Sequence, residues 1–326
     1  MLRKKVMVYK PILSIIIVNY NTGKLLSDCI RSLWLNNHFL LPEIIVVDNN
    51  SSDKSIDLAK ANSDKIRFIL NDENVGFAKA NNQGLQIAQG QFILFLNPDT
   101  VALPQALEKI LEFFKKTPDA GIVGCKILNP DGSLQFSCRS FPGFWNYFFE
   151  SFFLYKLLPK NRWIGKFYVT NFSYDKVKEV DVVLGAFMMT KKEILDQVGY
   201  FDERFFMYSE ETDLCYRMKK KNKKVYFYPD AQIIHYGRAS ASQYPVKMFQ
   251  QDHRSRFLFM RKHYSAINIL FSTWIIFIGV FLRIIFWSLA SGYAFLFNRL
   301  FLKNSKIKLK VFVNLFFWYV GLKFIQ

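Results

Sequence analysis

The sequence lacks the devices by which many nucleotide-using chains declare themselves. No G-x-G-x-x-G follows the first apolar run, and no G-x-x-x-x-G-K-[ST] occurs anywhere. The two commonest glycine-rich phosphate cradles are therefore absent, and neither a Rossmann dehydrogenase nor a P-loop enzyme is expected. Cysteine is sparse. Cys29, Cys125, Cys138 and Cys215 are scattered, with no C-x-x-C and no framework spacing, and read as free thiols of a reducing compartment. There is no internal repeat and no low-complexity segment. The opening "MLRKKVMVYKPILSIIIVNYN" has too short an apolar run for a signal peptide, is cut at Asn19 and lacks a small-residue cleavage site, so it reads as a first strand. Acid is scarce at the far end. Residues 241–326 carry 12 Lys and Arg against one acid, Asp252, and hold +11 of the net +18.

What is present argues for a folded body with an appendage. A chain of 326 residues exceeds one small core, and 51% hydrophobic with 21% charged residues is a globular balance. The basic tail is also the most apolar part. Residues 264–298, "YSAINILFSTWIIFIGVFLRIIFWSLASGYAFLFN", contain Arg283 as their only charge, and "VFVNLFFWYVGLKFI" (311–325) follows a basic linker, "KNSKIKLK". Basic, aromatic and apolar together suggest an anionic membrane surface rather than nucleic acid. A tilted span, a re-entrant hairpin, an interfacial helix and a buried helical pair all stay open, because Arg283 and scattered polar residues interrupt the run. The reading is an α/β domain over 1–240 and a membrane-association region over 241–326.

The first half alternates. Apolar runs "LSIIIVNYN", "EIIVVDNNSSD", "KIRFILNDEN" and "QFILFLNPDT" read as strands, separated by helical stretches such as "GKLLSDCIRSLWLN" and "GFAKANNQGLQIAQ". Alternation of this kind predicts βαβ units and a mostly parallel sheet flanked by helices. Such sheets bind ligands beyond the carboxyl ends of their strands. Asn19–Asn21, Asp48–Asp53 and Asn97–Asp99 should therefore converge on one crevice. Further on, "VDVVLGAFMMT" (180–190) reads as one strand and "KVYFYPDAQIIHYG" (224–237) as a strand pair. The aromatic run at 141–155 reads equally as core or as a lipid-facing loop or acceptor platform.

Each polar feature has two readings. Asp48 could accept from a ribose or a base N–H, or could form an Asx turn in "DNNSSD". In "NVGFAKANNQG", Gly76 permits close backbone approach, and a helix start carrying Lys79, Asn81 and Asn82 suits a pyrophosphate as well as a plain helix entry. Glu210, Glu211 and Asp213 suit a helix dipole, and clustered acids also raise one another's proton affinity, as a general base requires. His235 ends a strand, where it is either structural or a metal ligand.

In order, "SIIIVNYN", "VVDNNSSD", "NVGFAKANNQG", "LNPDT", "GAFMMTKKEILDQVGYFDERFFMYSEETDLCYRMK" and "PDAQIIHYGRAS" resemble the family 2 inverting glycosyltransferases, nearest a bacterial rhamnosyltransferase-like branch. The resemblance covers roughly residues 12–240. It implies a GT-A fold and transfer of rhamnose or a similar hexose from a dTDP- or UDP-sugar. The implied acceptor is a polyprenyl-diphosphate saccharide or a polysaccharide, met at the cytoplasmic face of the plasma membrane, in cell-surface glycan synthesis. It also implies Mg²⁺ or Mn²⁺ at Asp99, with His235 a further ligand. Val18, Asn19, Asn21, Asp48, Gly76, Lys79, Asn82 and Asn97 would face the donor nucleotide, and Gly185, Ala186 and Arg217 would lie on the acceptor side, Arg217 with Asp213 orienting the helix or acceptor loop. Glu211 would be the general base, beside Glu210 and Asp213. The sequence departs from the family twice: Asn97 stands where the metal motif has its first Asp, and the base is Glu rather than the commoner Asp. Asn97 keeps a second reading in play, a non-catalytic subunit that binds a sugar nucleotide or lipid.

Overall fold

The computed structural model describes residues 11–36, 41–61, 65–157, 161, 172–237, 245–297 and 299–321. The chain forms two compact units: Met1–Arg139 with Ser173–Ser240, and Ser140–Phe172 with Ala241–Gln326. The chain passes from the first unit to the second twice, after Arg139 and after Ser240. The aromatic segment after Arg139 groups with the C-terminal helices instead of with the α/β body.

The first unit begins β1 (Leu13–Asn19), α1 (Lys24–Asn36), β2 (Glu43–Asp48), α2 (Ser55–Lys60), β3 (Arg67–Leu70), α3 (Phe77–Ile87) and β4 (Phe92–Leu96). It continues β5 (Thr100–Ala102), α4 (Ala106–Lys116), β6 (Ala120–Leu128), β7 (Leu134–Gln135) and β8 (Cys138–Arg139). After α5 (Phe144–Ser151) and α6 (Leu154–Leu157) of the second unit, it resumes with β9 (Lys178–Val180), β10 (Val182–Val183), β11 (Phe187–Lys191), α7 (Lys192–Val198), α8 (Glu210–Lys220) and β12 (Lys224–His235). The second unit closes with α9 (Pro245–His263), α10 (Ala266–Phe297) and α11 (Arg299–Tyr319).

The main sheet runs β3-β2-β1-β4-β11-β6-β12-β5, with β7 beside β6 and β9 beside β12. The β3-β2-β1-β4 half is parallel throughout, as the βαβ alternation requires. All seven residues of β1 are buried, which is why its sequence is a continuous apolar run rather than an alternating one. The other half is mixed. β11 is antiparallel to both β4 and β6, and β12 is parallel to β6 but antiparallel to β5.

Two strand expectations are corrected. Residues 180–190 are not one strand: β10 pairs with β8 in a separate two-stranded sheet, and β11 enters the main sheet after residues 184–186. Residues 224–237 are not a pair but the single strand β12, whose register against β6 shifts between Tyr228 and Gln232. Pro229 lies in that interval, has no N–H to give the ladder, and is accommodated by the irregularity.

The second unit packs around Tyr147, Met260, Ile276, Val280 and Leu315. Here the lone charge of the long apolar run finds its use. The Arg283 guanidinium donates to the carbonyls of Glu150 at 2.6 Å, Ser151 at 3.1 Å and Gly279 at 2.9 Å. Its carbon also lies 4.3 Å from the Phe153 ring centre. Arg283 therefore caps the C-terminal end of α5, where carbonyls lack intrahelical partners and the dipole favours a cation. Gly279, one turn earlier, lets that end come close: a Cβ there would sit 2.6 Å from the Ser151 Cβ. On the other side Glu150 holds Arg256 at 2.9 Å, and Arg256 holds Asp252 at 2.9 Å. Burial, aided by the charge of Arg256, drives the His253 pKa down to about 3, so its imidazole is neutral beside the Tyr319 hydroxyl at 3.2 Å. Arg283→Leu is expected to lower the stability of the full chain by about 1.5–3 kcal/mol, since charged hydrogen bonds to buried carbonyls are lost. Thermal unfolding in detergent followed by tryptophan fluorescence checks this, and an unchanged midpoint would refute the capping role.

Candidate active site

Three strand ends meet as the alternation predicts, and the first two spend their polar groups on each other. Asn19, fully buried, donates through Nδ2 to Asp48 Oδ1 at 2.7 Å, Ser51 Oγ at 3.0 Å and Ser55 Oγ at 2.8 Å. Its Oδ1 accepts from the Thr22 hydroxyl. Asp48 also accepts from the Ser51 hydroxyl at 2.6 Å and the Ser51 amide at 2.9 Å. A carboxylate offers about four acceptor positions, so Asp48 keeps one for a further donor. Val18 pairs with Val47 in the ladder directly before this knot. Asn21, at φ 51°, holds the next turn by accepting from the Ser52 amide at 2.8 Å.

The third strand end is built by register. β5 runs antiparallel to β12 with Thr100 opposite His235, and the Tyr236 amide donates to the Asp99 carbonyl at 2.9 Å, extending the ladder by one residue. This sets Asp99 Oδ1 3.2 Å from His235 Nε2 and Asn97 Nδ2 3.4 Å from the same nitrogen. Both Asp99 and His235 are buried. Beneath the turn, Thr100 Oγ1 donates to the Asn97 carbonyl at 2.8 Å, and the Cys29 thiol, pushed up to about 12 chiefly by burial, lies 3.4 Å from Thr100 Oγ1.

The other face of the imidazole is held by a residue the sequence reading missed. His235 Nδ1 meets Gln135 Oε1 at 2.7 Å. Gln135 Nε2 donates to Asn129 Oδ1 at 2.9 Å, Asn129 Nδ2 to Ser133 Oγ at 2.9 Å, and the Ser133 hydroxyl to Asp131 Oδ1 at 2.6 Å. Reading the chain from the carboxylate inward assigns every donor. Gln135 presents its oxygen to the ring, so Nδ1 carries a proton, and in the neutral ring the lone pair is on Nε2. The available signal was "NPDGSLQ", whose Asp-Gly marks a hairpin that returns Gln135 beside Ile127.

The acidic helix is positioned by the loop before it, residues 199–209, which three expected site residues hold from different sides. Gly76, at φ 88°, lets the Phe77 amide at the start of α3 donate to the Phe206 carbonyl at 2.7 Å, and a Cβ on Gly76 would stand 2.5 Å from that oxygen. Asn82 donates to the Phe201 carbonyl at 2.9 Å and Glu203 Oε1 at 3.0 Å, and accepts from the Phe201 amide at 3.1 Å. Arg217 donates to the carbonyls of Val198 at 2.9 Å, Gly199 at 2.8 Å and Tyr200 at 2.6 Å, and its Nε to Asp213 Oδ2 at 2.8 Å. Tyr208 and Ser209 then take left-handed backbone at φ 69° and 63°, and α8 starts at Glu210.

The three acids consequently part company. Asp213 is fully buried on Arg217, Glu210 is buried, and Glu211 is half-buried. Glu211 lies near the expected acceptor-side glycine: a Cβ on Gly185 would be 3.9 Å from the Glu211 Cβ and 3.8 Å from the Phe77 ring. The next residue, Ala186, accepts from the Asn97 amide at 3.1 Å. One short backbone path thus joins the Asp99–His235 pair to Glu211. Lys79 is exposed on the first turn of α3, and Asn81 is buried, donating back to the Phe77 carbonyl at 2.9 Å.

Comparison with known proteins gives the family and the fold. The family model described as Glycosyl transferase family 2 matches residues 14–199. An N-acetylglucosaminyl-diphospho-decaprenol L-rhamnosyltransferase of Mycobacterium tuberculosis is 25% identical over 266 residues, 78% of this chain and 86% of the relative. A low-salt glycan biosynthesis hexosyltransferase of Haloferax volcanii is 28% identical over 81% of this chain and 83% of its own length. Among solved structures, a Pyrobaculum calidifontis mannosyltransferase in complex with GDP-Man and Mn²⁺ superposes with a TM-score of 0.54 over 95% of this chain and 88% of that one, at 14% identity. The likeness to that structure is one of fold, the GT-A-like mixed sheet with its flanking helices. The family match covers more than half of the chain, and the chain belongs to glycosyltransferase family 2.

Proposed function

We propose that this glycosyltransferase moves a sugar, rhamnose or a similar hexose, from a dTDP- or UDP-sugar to a lipid-linked saccharide, with inversion, in bacterial cell-surface glycan synthesis. The observation that carries the reading is the path from Asp99–His235 through Asn97, Ala186 and Gly185 to Glu211. It sets a leaving-group end and a base end side by side. The acceptor class is supported by the decaprenol-diphosphate substrate in the Mycobacterium relative's name, and by the basic, apolar helices of the second unit. The site of action is the cytoplasmic face of the plasma membrane.

Mg²⁺ or Mn²⁺ fits at Asp99 and His235. With its proton on Nδ1, His235 points a lone pair at a carboxylate oxygen 3.2 Å away. Two acceptors at that distance need a cation or a proton between them. Among the described residues no group of three His, Cys, Asp or Glu could hold a metal. Two protein ligands suit a hard cation that takes its remaining oxygens from a diphosphate and water. When bound, it would neutralise charge growing on the leaving diphosphate.

The chain's own residues do the rest. Asp48 has an acceptor position for a nucleoside donor group, and the backbone of Val18–Asn21 lines the same strand ends. The Glu211 carboxylate takes the proton of the acceptor hydroxyl. That oxygen bonds the anomeric carbon as the bond to the diphosphate breaks on the opposite face, so configuration inverts without a covalent enzyme intermediate. Asp213 and Arg217 keep α8 and its leading loop in place, and Asn82 acts with them rather than on the nucleotide.

The decisive experiment incubates the protein and a polyprenyl-diphosphate saccharide with a panel of dTDP- and UDP-sugars and either metal, reading nucleotide diphosphate release. Glu211→Gln is expected to lose about 10²–10⁴ in turnover. Wild-type turnover by that variant removes Glu211 as the base. Gln135→Leu is expected to weaken Mn²⁺ binding by about 10–100-fold in calorimetric titration without acceptor, because the ring loses its orienting partner. Unchanged affinity would sink His235 as a ligand. For Asn82→Ala, kcat should fall while the Kd for the nucleotide diphosphate holds. A weakened nucleotide Kd at constant kcat would return Asn82 to the donor side.

A further inference from the structure

The α10 helix is long and apolar enough to cross a membrane over Ala266–Tyr293, 28 residues. Its surroundings within the second unit favour a different placement. The outward side chains form one stripe: Ile267, Leu270, Phe271, Trp274, Ile278, Phe281, Leu282, Ile285, Phe286, Leu289 and Tyr293 are all exposed, at helical spacing along its whole length. The opposite face carries Ser272, Ile276, Gly279, Val280 and Arg283 and is packed against the unit's own helices.

The packed face meets α5, α9 and α11. α9 contributes Met260 to the core with Ile276 and Val280, and Phe249 reaches Phe312 at 5.4 Å, itself 5.8 Å from Arg283. α9 carries Lys247, Arg254 and Arg261 exposed, and the Glu150–Arg256–Asp252 network beside them. α11 runs beside both halves: Phe316 lies 5.1 Å from Phe277, and Lys308 stands 4.4 Å from the Trp287 ring. Lys306, Lys308 and Lys310 are exposed there. An α10 crossing the bilayer over Ala266–Tyr293 would carry the Glu150–Arg256–Asp252 network, joined to it at Arg283 near the middle, to hydrocarbon depth, with Lys308 beside Trp287. Lying flat, it puts one uncharged stripe in the acyl layer and leaves these charges on the other side.

We propose that α10 lies in the plane of an anionic bilayer, its outer stripe immersed and the lysines of α11 and the bases of α9 meeting the acidic headgroups. The inference rests on the membrane association proposed above and gives it a geometry.

Single Ile267→Cys, Trp274→Cys, Ile278→Cys, Ile285→Cys and Leu289→Cys variants of the full chain test it. The native Cys29, Cys125, Cys138 and Cys215 are buried, so a thiol-reactive fluorophore reports the new site. Depth is read by brominated-lipid quenching in phosphatidylcholine–phosphatidylglycerol vesicles, with co-sedimentation run in parallel. Flat placement gives nearly equal depths at all five positions. A span makes residue 278 deeper than 267 and 289 by about 16 Å, eleven residues of helical rise, and would overturn the orientation while leaving membrane association intact. Failure of the wild type to sediment with vesicles defeats the membrane reading itself. Dimers in solution whose labels are shielded before vesicles are added would show that a second copy covers the stripe, and would overturn the proposal. Replacing Lys306, Lys308 and Lys310 together by Gln is expected to weaken vesicle binding by about a hundredfold, at roughly one kilocalorie per basic residue near the surface. Binding unchanged by that variant would remove the headgroup contact.

Discussion

The hydrogen bond from the Phe77 amide to the Phe206 carbonyl, 2.7 Å long, is the constraint on which the reacting half of the site depends. A helix start offers free N–H groups and a positive end, attractive to a phosphate. Here a peptide carbonyl takes that position. Only a residue without a Cβ lets it come so near, and Gly76 supplies it. The result is that a helix from the nucleotide-binding type of βαβ repeat anchors a loop more than a hundred residues later in the chain. Asn82 and Arg217 add fixed points on either side. With its ends and middle held, the loop can support two successive left-handed residues at Tyr208 and Ser209, a costly backbone that a loosely attached loop would relax. Glu211 owes its position to that support.

A rule of buried polar groups sorts the remaining side chains. Groups whose hydrogen-bonding capacity is met by protein hold the frame. Asn19 is the clearest, with four partners in the β1–β2–α2 corner. Asp213 is another. Groups whose arrangement needs something added mark the chemistry. Asp99 Oδ1 lies 3.2 Å from His235 Nε2, and the Asp131–Ser133–Asn129–Gln135 chain fixes a proton on the far nitrogen, so the neutral ring turns its lone pair to the carboxylate side. The same accounting changes the meaning of Asn97. Its amide nitrogen lies beside the imidazole, where a second carboxylate would have added a further negative charge. In the proposed metal site, a single acidic ligand would leave more of the cation's field for the diphosphate.

How much of this could be read from residues alone follows from the range of the interactions. The β1 to β4 half was legible, since continuous apolar runs alternating with helical periods are local signals, and the convergence of Asn19, Asp48 and Asp99 follows from parallel topology. The antiparallel insertion of β11 between β4 and β6 was not, because a buried strand reads the same in either direction. β12 looked like two strands since Pro229 interrupts its pattern, while the pairing with β6 resumes after the shift. The hydrogen-bond partners of Gly76, Asn82 and Arg217 were not legible for one reason. Each lies in a stretch that looks functional, yet its partner is backbone of the 198–206 segment, and nothing in a sequence marks which carbonyl a distant amide will meet. Gln135 was passed over because its hairpin was read as part of an aromatic connection.

The C-terminal helices show the same limit from the opposite side. Hydropathy counts residues along a line, and by that count Arg283 is a defect in an apolar run. In three dimensions it is a cap for α5, set on the packed face a turn from Gly279, and the outward stripe of α10 is uncharged from Ile267 to Tyr293. The length of the run therefore measures how far the stripe extends, and says nothing about its direction relative to a bilayer. Direction is decided by what runs beside it. α11 accompanies the helix from Phe277 to Trp287, and a charged network joins it at Arg283 near its middle, so its environment varies around its circumference more than along its axis. A bilayer offers an environment that varies with depth. The two match when the helix axis is perpendicular to the membrane normal.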